Sequence, residues 1–264
     1  MHFISGPQRQ RFPRVPIAIL SFSRPDYLRL VLTSLRRQTD PDDEIVLFQD
    51  GAFNPVSQRW KTDPAKIDAC AEVFRRIIPW GEIRQAPQNL GIVDNYRRAE
   101  DYAFVERRHD ACLFLEDDLV LSRHYLAAIR RLIAWAHDDR RIAYVSAYGN
   151  FWAGLRDQWR NRHRLMHMHE NWGFAMTRAA WLDEQPFRRR YFALLEDVDY
   201  SQRDNGRIRG FFRELGIETP ITGQDFPRWF VTVQLGKVWL WRARQGYCPT
   251  IQLRLQYRLV DLGR

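Results

Sequence analysis

A chain of 264 residues with 45% hydrophobic and 14% aromatic content can bury a substantial core, which excludes a disulfide-stapled miniprotein and a disordered chain. Its 41 Lys and Arg against 32 Asp and Glu leave a formal charge of +9, carried almost wholly by arginine since only Lys61, Lys66 and Lys237 are lysines, and the surplus favours an anionic partner. No apolar run approaches the ~18 to 20 residues of a bilayer span, the first residues lack the apolar centre of a secretory signal, and Cys70, Cys112 and Cys248 are spaced for neither a disulfide framework nor a zinc site; cytoplasmic residence is the expectation.

Residues 1 to 150 alternate short β-rich apolar runs with amphipathic stretches, the pattern of βα units around a mostly parallel sheet. Strands are predicted at Ile17 to Phe22, Glu44 to Phe48, weakly at Glu82 to Arg84, at Ala111 to Leu115 and at Ile142 to Ser146. The first helix follows Ser23 and Pro25 and places Leu28, Val31, Leu32 and Leu35 on one face. Helices are also predicted at Pro64 to Ile78, Ile92 to Val105 and Tyr125 to Trp135.

After Tyr148 the texture changes. Residues 154 to 166 carry four arginines without periodicity and read as a mobile surface loop. An aromatic block, Trp172-Gly173-Phe174, precedes Thr177, a cap for a short helix through Leu182. An arginine-rich stretch from Phe187 to Arg213 leads to Gly223-Gln224-Asp225, then to an amphipathic segment from Trp229 to Arg244 and an edge strand within Ile251 to Leu259. His167 and His169 alternate, but no third ligand is spaced to complete a metal site, so they read as solvated or hydrogen-bonded histidines.

In an open parallel sheet, ligands bind beyond the carboxyl ends of the strands. Here those ends read Ser21-Phe22-Ser23-Arg24, Gln49-Asp50-Gly51 and Glu116-Asp117-Asp118. Three consecutive carboxylates behind the apolar strand ACLFL repel one another unless a cation or hydrogen-bond donors compensate them. Mn²⁺ or Mg²⁺ would do so, taking one or two protein carboxylates and completing its shell from substrate phosphates. The competing structural role is a helix cap, with Asp118 or Ser122 ahead of the helix that contains Tyr125.

The ordered segments VPIAILSFSRPDYL, VLFQDGA, NLGIVDNYRRAEDYAF, CLFLEDDLVLSRHYL and NWGFAMTRAAW resemble the nucleotide-diphospho-sugar transferases of glycosyltransferase A fold, in particular the N-acetylglucosaminyltransferase I-like and bacterial family 2 enzymes. The resemblance covers about residues 15 to 185. It implies an α/β fold, a single glycosyltransferase A-type, Rossmann-like domain with a mostly parallel central sheet flanked by helices. Residues 1–150 would be the nucleotide-sugar-binding half and 151–264 the acceptor-binding half with the C-terminal segment. Ser23 and Arg24 would border the nucleotide, Asp50 would take the base edge, and Asn95 and Arg98 would line the same pocket. Glu116 and Asp117 would face the ribose and sugar, and Asp118 would be the metal ligand. Trp172 and Gly173 would lie beneath the donor sugar and acceptor, where the alternative is plain core packing.

Direct displacement at an anomeric carbon needs a carboxylate to accept the acceptor's proton. The resemblance implies two competing candidates: Asp225 in GQDFPRW, similar to the Asp of a WDxxW-like segment though Gln224 stands where that segment has its first tryptophan, and Asp197 in LLEDVDYSQR, similar to the Glu-Asp pair of family 2 enzymes, with preference to Asp225. The expected activity is transfer of a hexosyl or N-acetylhexosaminyl group from a nucleotide diphosphate sugar, uridine-linked, to a glycan or lipid-linked glycan acceptor of a bacterial envelope, with inversion and with peripheral contact at the inner, anionic membrane face. The opposing readings are a nucleic-acid-binding or glycan-binding protein without catalysis; strand-end acids would repel a phosphate backbone, so no nucleic acid is expected as partner.

Overall fold

Alternation along the first strand sets the layers. In β1 (Ile17–Ser21), Ile17 and Ile19 face one side and Ala18 and Leu20 the other, and all are buried, as in a strand covered on both faces. The computed structural model describes residues 14–147, 155–160, 165–167, 172–242 and 253–254. In chain order β1 is followed by α1 (Pro25–Arg36), β2 (Ile45–Gln49), a short hairpin of β3 (Phe53–Asn54) and β4 (Arg59–Trp60), α2 (Pro64–Ile77), β5 (Glu82–Gln85) and α3 (Gly91–Asp101). Next come β6 (Ala111–Glu116), β7 (Leu119–Val120), α4 (Tyr125–Asp138), β8 (Ile142–Ser146), α5 (Leu155–Arg160) and β9 (Leu165–His167). The remainder comprises β10 (Phe174–Thr177), α6 (Arg178–Phe192), α7 (Asn205–Glu214), α8 (Asp225–Gln234), β11 (Val238–Arg242) and β12 (Leu253–Arg254).

Eight strands form one sheet in the order β5-β2-β1-β6-β10-β8-β11-β9. β5, β2, β1 and β6 are parallel, with Ile17 opposite both Ile45 and Leu113. β10 inserts antiparallel between β6 and β8, β11 runs parallel to β8, and β9 closes the edge antiparallel to β11. All but β10 and β9 therefore point the same way. The architecture is mixed α/β with a mostly parallel central sheet flanked by helices, as the sequence predicts.

Leu28 and Leu32 of α1, Phe74 of α2, and Tyr125 and Ile129 of α4 cover the face presented by Ile17 and Ile19. Tyr96 and Ala99 of α3 with Ala180 and Trp181 of α6 cover the opposite face, around Ala18, Leu20 and Phe114. A third cluster, Tyr191, Phe212 and Phe230, joins α6, α7 and α8. Local signals fix the helix starts: Asp63 accepts from the Ala65 amide at 2.9 Å with Pro64 in the first turn, and Thr177 accepts from the Ala180 amide at 3.2 Å.

The chain departs from its sequence reading in five places. The segment predicted as an irregular loop contains the helix α5 and the strand β9; LRDQWR holds good helix formers, no Gly and no Pro. α6 does not stop at Leu182 but runs through Pro186 to Phe192, because Trp181, Glu184, Arg188 and Tyr191 form a buried stripe that the arginine density conceals in sequence. The helix predicted to end at Val105 gives way at Tyr102 to a π-helical turn. The amphipathic segment 229–244 divides into α8 and β11 at Gly236, whose φ of +63° ends the helix. In the tail, β12 pairs antiparallel with β7 rather than with the edge of the main sheet, and the rest of the predicted edge strand lies outside the described residues, as do Cys248 and His169.

Candidate active site

The carboxyl ends of β1, β2 and β6 open onto a cavity of about 570 Å³, closed on its far side by residues 199–201 and the start of α8. Its lining includes Phe22, Arg24, Asp50, Lys61, Asn95, Glu116, Asp117, Asp118, Asp199 and Asp225. Among the described lining residues six are carboxylates and only Arg24 and Lys61 are cations. The cavity is thus acidic in a chain whose formal charge is +9.

Compensation of the acid triplet comes from within the chain. Asp117 and Asp118 are 2% and 0% exposed. The Arg24 guanidinium spans both, with Nη2 on Asp117 and Nη1 donating to Asp118 Oδ2 at 3.2 Å. The Phe22 amide adds a bond to Asp117 Oδ2 at 3.1 Å, and Tyr96 Oη donates to Glu116 Oε1 at 3.2 Å. Burial pushes the Asp117 carboxyl above its ordinary value, with Asp118 reinforcing and Arg24 opposing the shift.

Asp50 is saturated by its own surroundings. Its Oδ1 accepts from the Gly51 amide at 2.9 Å and the Leu90 amide at 2.8 Å, and its Oδ2 from Asn89 Nδ2 at 2.9 Å and the Gly91 amide at 3.0 Å. Those donors fix the turn that leads into α3. Burial raises the Asp50 carboxyl, and the backbone donors hold it back. A side chain at Gly51 would collide with the backbone of Gln88, so this turn requires glycine for close approach.

Asn95 lines the cavity and donates Nδ2 to the Phe48 carbonyl at 2.9 Å, while Arg98 donates to Asn95 Oδ1 at 3.0 Å and to the Arg84 carbonyl at 3.1 Å. Arg98 lines a neighbouring cavity with Phe48, Arg84 and Tyr102. Ser23 is half-buried beside the lining residues Phe22 and Arg24. Trp172 packs on Leu119 immediately after the acid triplet, and the Gly173 carbonyl accepts from Tyr125 Oη and Ser146 Oγ, each at 2.7 Å. This pair forms a buried corner joining β8, α4 and β10, with Gly173 at φ +57°.

The two base candidates are placed differently. Asp225 opens α8 and faces the cavity, whereas Asp197 is exposed at φ +53° in the turn after α6 and is not among the lining residues. Its neighbour Asp199 is in the cavity. Although burial alone would raise it, Lys61, Ser57 and Ser201 hold the Asp199 carboxyl well below the usual carboxylate range. Lys61 also donates Nζ to Ser201 Oγ at 2.9 Å, tying the hairpin side of the cavity to its far wall. Sequence reasoning missed Lys61 and Asp199. The scarcity of lysine and the alternation Asp197-Val198-Asp199 were the only signals for them.

The donor set suits a hard divalent ion, which takes oxygen ligands. Among the described residues no three His, Cys, Asp or Glu side chains are arranged as a metal cage, so an ion at Asp118 would draw further ligands from a bound phosphate and water.

No protein-family model matches the sequence, and no curated protein matches it. Solved glycosyltransferase structures are similar to the chain at low identity. S. aureus TarS, residues 1–349, shares 12% identity over 89% of this chain and 59% of that chain, with a TM-score of 0.47. The chain thus spans about three fifths of that structure's length. The galactosyltransferase LgtC in complex with donor and acceptor sugar analogues shares 12% over 85% of this chain and 73% of that chain, with a TM-score of 0.44. The glycosyltransferase GlyE of Streptococcus pneumoniae TIGR4 shares 14% over 76% and 43%, with a TM-score of 0.41.

Proposed function

We propose that the chain is a metal-dependent glycosyltransferase of A-type fold that moves a hexosyl or N-acetylhexosaminyl group from a uridine diphosphate sugar to a glycan acceptor with inversion. The observation that carries this reading is the acidic cavity at the carboxyl ends of parallel strands, where Asp117 and Asp118 meet Arg24 on one side and Asp225 opens a helix on the other. Among the described residues the lining carries six carboxylates against two cations, a balance that favours added positive charge when a diphosphate enters. In this reading Asp118 would hold Mn²⁺ or Mg²⁺ together with the donor diphosphate, and the ion would supply positive charge to the departing diphosphate.

The chain's own groups do the rest. Arg24 and Lys61 attract the phosphates, Glu116 and Asp117 face the ribose and sugar, and Asn95 keeps the β2 end in place beside the base. Asp225 accepts the proton of the attacking acceptor hydroxyl. Residues 1–150 form the donor half and 151–264 the acceptor half. The basic exterior serves an anionic or lipid-linked acceptor at a membrane surface; among the described residues no helix is long and apolar enough to cross a membrane.

The test is a panel of nucleotide sugars titrated with and without Mn²⁺ while thermal stability is followed, because a ligand selective for the native state raises the midpoint by mass action. A shift that requires both the ion and a uridine diphosphate sugar, and that disappears in Asp118→Ala, is expected. A shift with nucleic acid that collapses with salt would overturn the reading.

A further inference from the structure

The acid pair Asp117 and Asp118 already has a cation. Arg24 follows β1 and caps α1, where Pro25 in the first helical turn fixes the local backbone. Its side chain is 34% exposed and reaches two buried carboxylates 93 and 94 residues away in sequence. Two adjacent buried carboxylates stay ionised together only beside a counter-charge, so a group that displaces the guanidinium either brings positive charge of its own or leaves the pair to take up a proton. The two carboxylates are held differently: Asp117 accepts the Phe22 amide as well as Arg24, whereas Arg24 reaches Asp118 through a bond of 3.2 Å. Asp118 is therefore the carboxylate that Arg24 yields first. In the same pose Cζ already lies 5.8 Å from the centroid of the half-buried Tyr27 ring in the first turn of α1, so the ring borders the guanidinium.

We propose that Arg24 is an internal placeholder for the divalent ion, occupying the acid pair until a nucleotide diphosphate arrives and so making metal binding conditional on the donor. The inference rests on the glycosyl-donor reading above. Without donor, the ion must break a charge-assisted contact to reach Asp118. With donor, the diphosphate offers the guanidinium two oxygens in the fork geometry it prefers and offers the ion further ligands. Ion and diphosphate then strengthen each other's binding by the same factor, as linkage requires.

The experiment uses calorimetry on the purified chain with Mn²⁺ alone, uridine diphosphate alone, and Mn²⁺ in the presence of uridine diphosphate. In the parent, Mn²⁺ alone should bind weakly and uridine diphosphate should tighten it. In Arg24→Ala, Mn²⁺ alone should bind about 10- to 100-fold more tightly than in the parent, the equivalent of one hydrogen bond to a charged group, and the coupling to uridine diphosphate should shrink. Arg24→Lys keeps the charge without the fork and should fall between the two. If Arg24→Ala unfolds, Mn²⁺ at millimolar concentration should restore its thermal transition and Mg²⁺ or Ca²⁺ should do so less or equally, whereas K⁺ should not; failure of every divalent ion to restore it would overturn the proposal. So would equal or weaker Mn²⁺ affinity in both Arg24 variants. If uridine diphosphate binds the parent with Mn²⁺ while the Arg24 variants leave the ion's own affinity unchanged, this inference falls alone. If the variants gain Mn²⁺ affinity but no nucleotide diphosphate binds with the ion, the donor reading falls and the competition at Asp118 stands.

Discussion

Arg228 of α8 donates Nη2 to Glu100 Oε1 of α3 at 2.6 Å, and both side chains lie inside the protein. The other oxygen of Glu100 takes Arg188 of α6, so one carboxylate ties three helices. The Arg228 guanidinium also sits 4.7 Å from the centroid of the Tyr96 ring and 5.1 Å from that of Phe174. Tyr96 reaches Glu116 at the cavity, and Arg228 is one turn beyond Asp225. The orientation of α8 against the donor side of the site is therefore set by a buried ionic cluster rather than by apolar packing alone.

Removing Glu100 should be costly. Glu100→Leu leaves two guanidinium groups buried with no carboxylate between them, and breaking a buried pair from one side costs about 3–5 kcal/mol. Urea unfolding should show a loss of that size. A triple variant, Glu100→Leu with Arg188→Met and Arg228→Met, should recover most of it; a loss under about 1 kcal/mol in the single variant would show that the cluster is not a structural anchor.

Glu184, next to this cluster, gives the protein a pH-dependent stability. Burial pushes its carboxyl up to about 7, against the opposing influence of Arg188, Tyr144 and Arg228, and Tyr144 Oη donates to its Oε2 at 2.5 Å. The folded-state value lies above the ordinary carboxylate value of 4.5, so between about 4.5 and 7 the native state binds more protons than the unfolded state. Stability from this group is complete below that window and is lost as pH rises through it. Glu184→Gln, which mimics the protonated form, should flatten the fall in thermal midpoint between pH 5 and 7.5 relative to the parent. An unchanged slope would place the titration elsewhere.

The saturated carboxylate of Asp50 makes a distinct prediction. If it orders the turn before α3, Asp50→Ala should leave four donors without their acceptor, lower stability by about 1–3 kcal/mol and weaken every nucleotide sugar alike. If it reads the base, Asp50→Asn should instead change the preference among nucleotide bases while stability stays near that of the parent. Binding of uridine- and guanosine-linked sugars to both variants separates the two roles.

Periodicity made the sheet legible, because a strand buried on both faces is continuously apolar and its end is marked by an abrupt polar run. Ile17 to Ser21 and Ala111 to Glu116 both show this, and the three strand ends that converge on the cavity were readable for the same reason. What sequence does not carry is which donor will satisfy a given acid. Asp50 and Asp118 look equivalent as strand-end carboxylates, yet one is filled by four backbone and amide donors and the other faces Arg24. Long-range pairs such as Lys61 with Asp199, and Glu100 with Arg228, join residues more than a hundred positions apart and leave no local pattern. The extended α6 was hidden for a different reason: Glu184 and Arg188 belong to its buried stripe, and charged residues do not register as an apolar face.

The base assignment turns on charge at one atom. Asp225 and Asp197 belong to segments that both suggested a catalytic acid, but Asp225 lines the cavity and Asp197 is exposed and absent from its lining, whereas Asp199, two positions on, is part of it. Asp225→Asn keeps shape and hydrogen-bonding reach while removing the proton acceptor, so turnover should fall by about 10²- to 10⁴-fold with donor affinity nearly unchanged. Asp197→Asn should be mild on the same assay. Asp199→Asn should behave differently from both: it weakens the partner of Lys61, so its effect should enter through donor affinity and stability before turnover. A large loss in Asp197→Asn with a mild one in Asp225→Asn would move the base to the turn after α6 and require that turn to rearrange when acceptor binds. Near-normal transfer in both would refute a carboxylate base at either position and would point to retention of configuration, which product stereochemistry, read by nuclear magnetic resonance of the anomeric proton, decides directly.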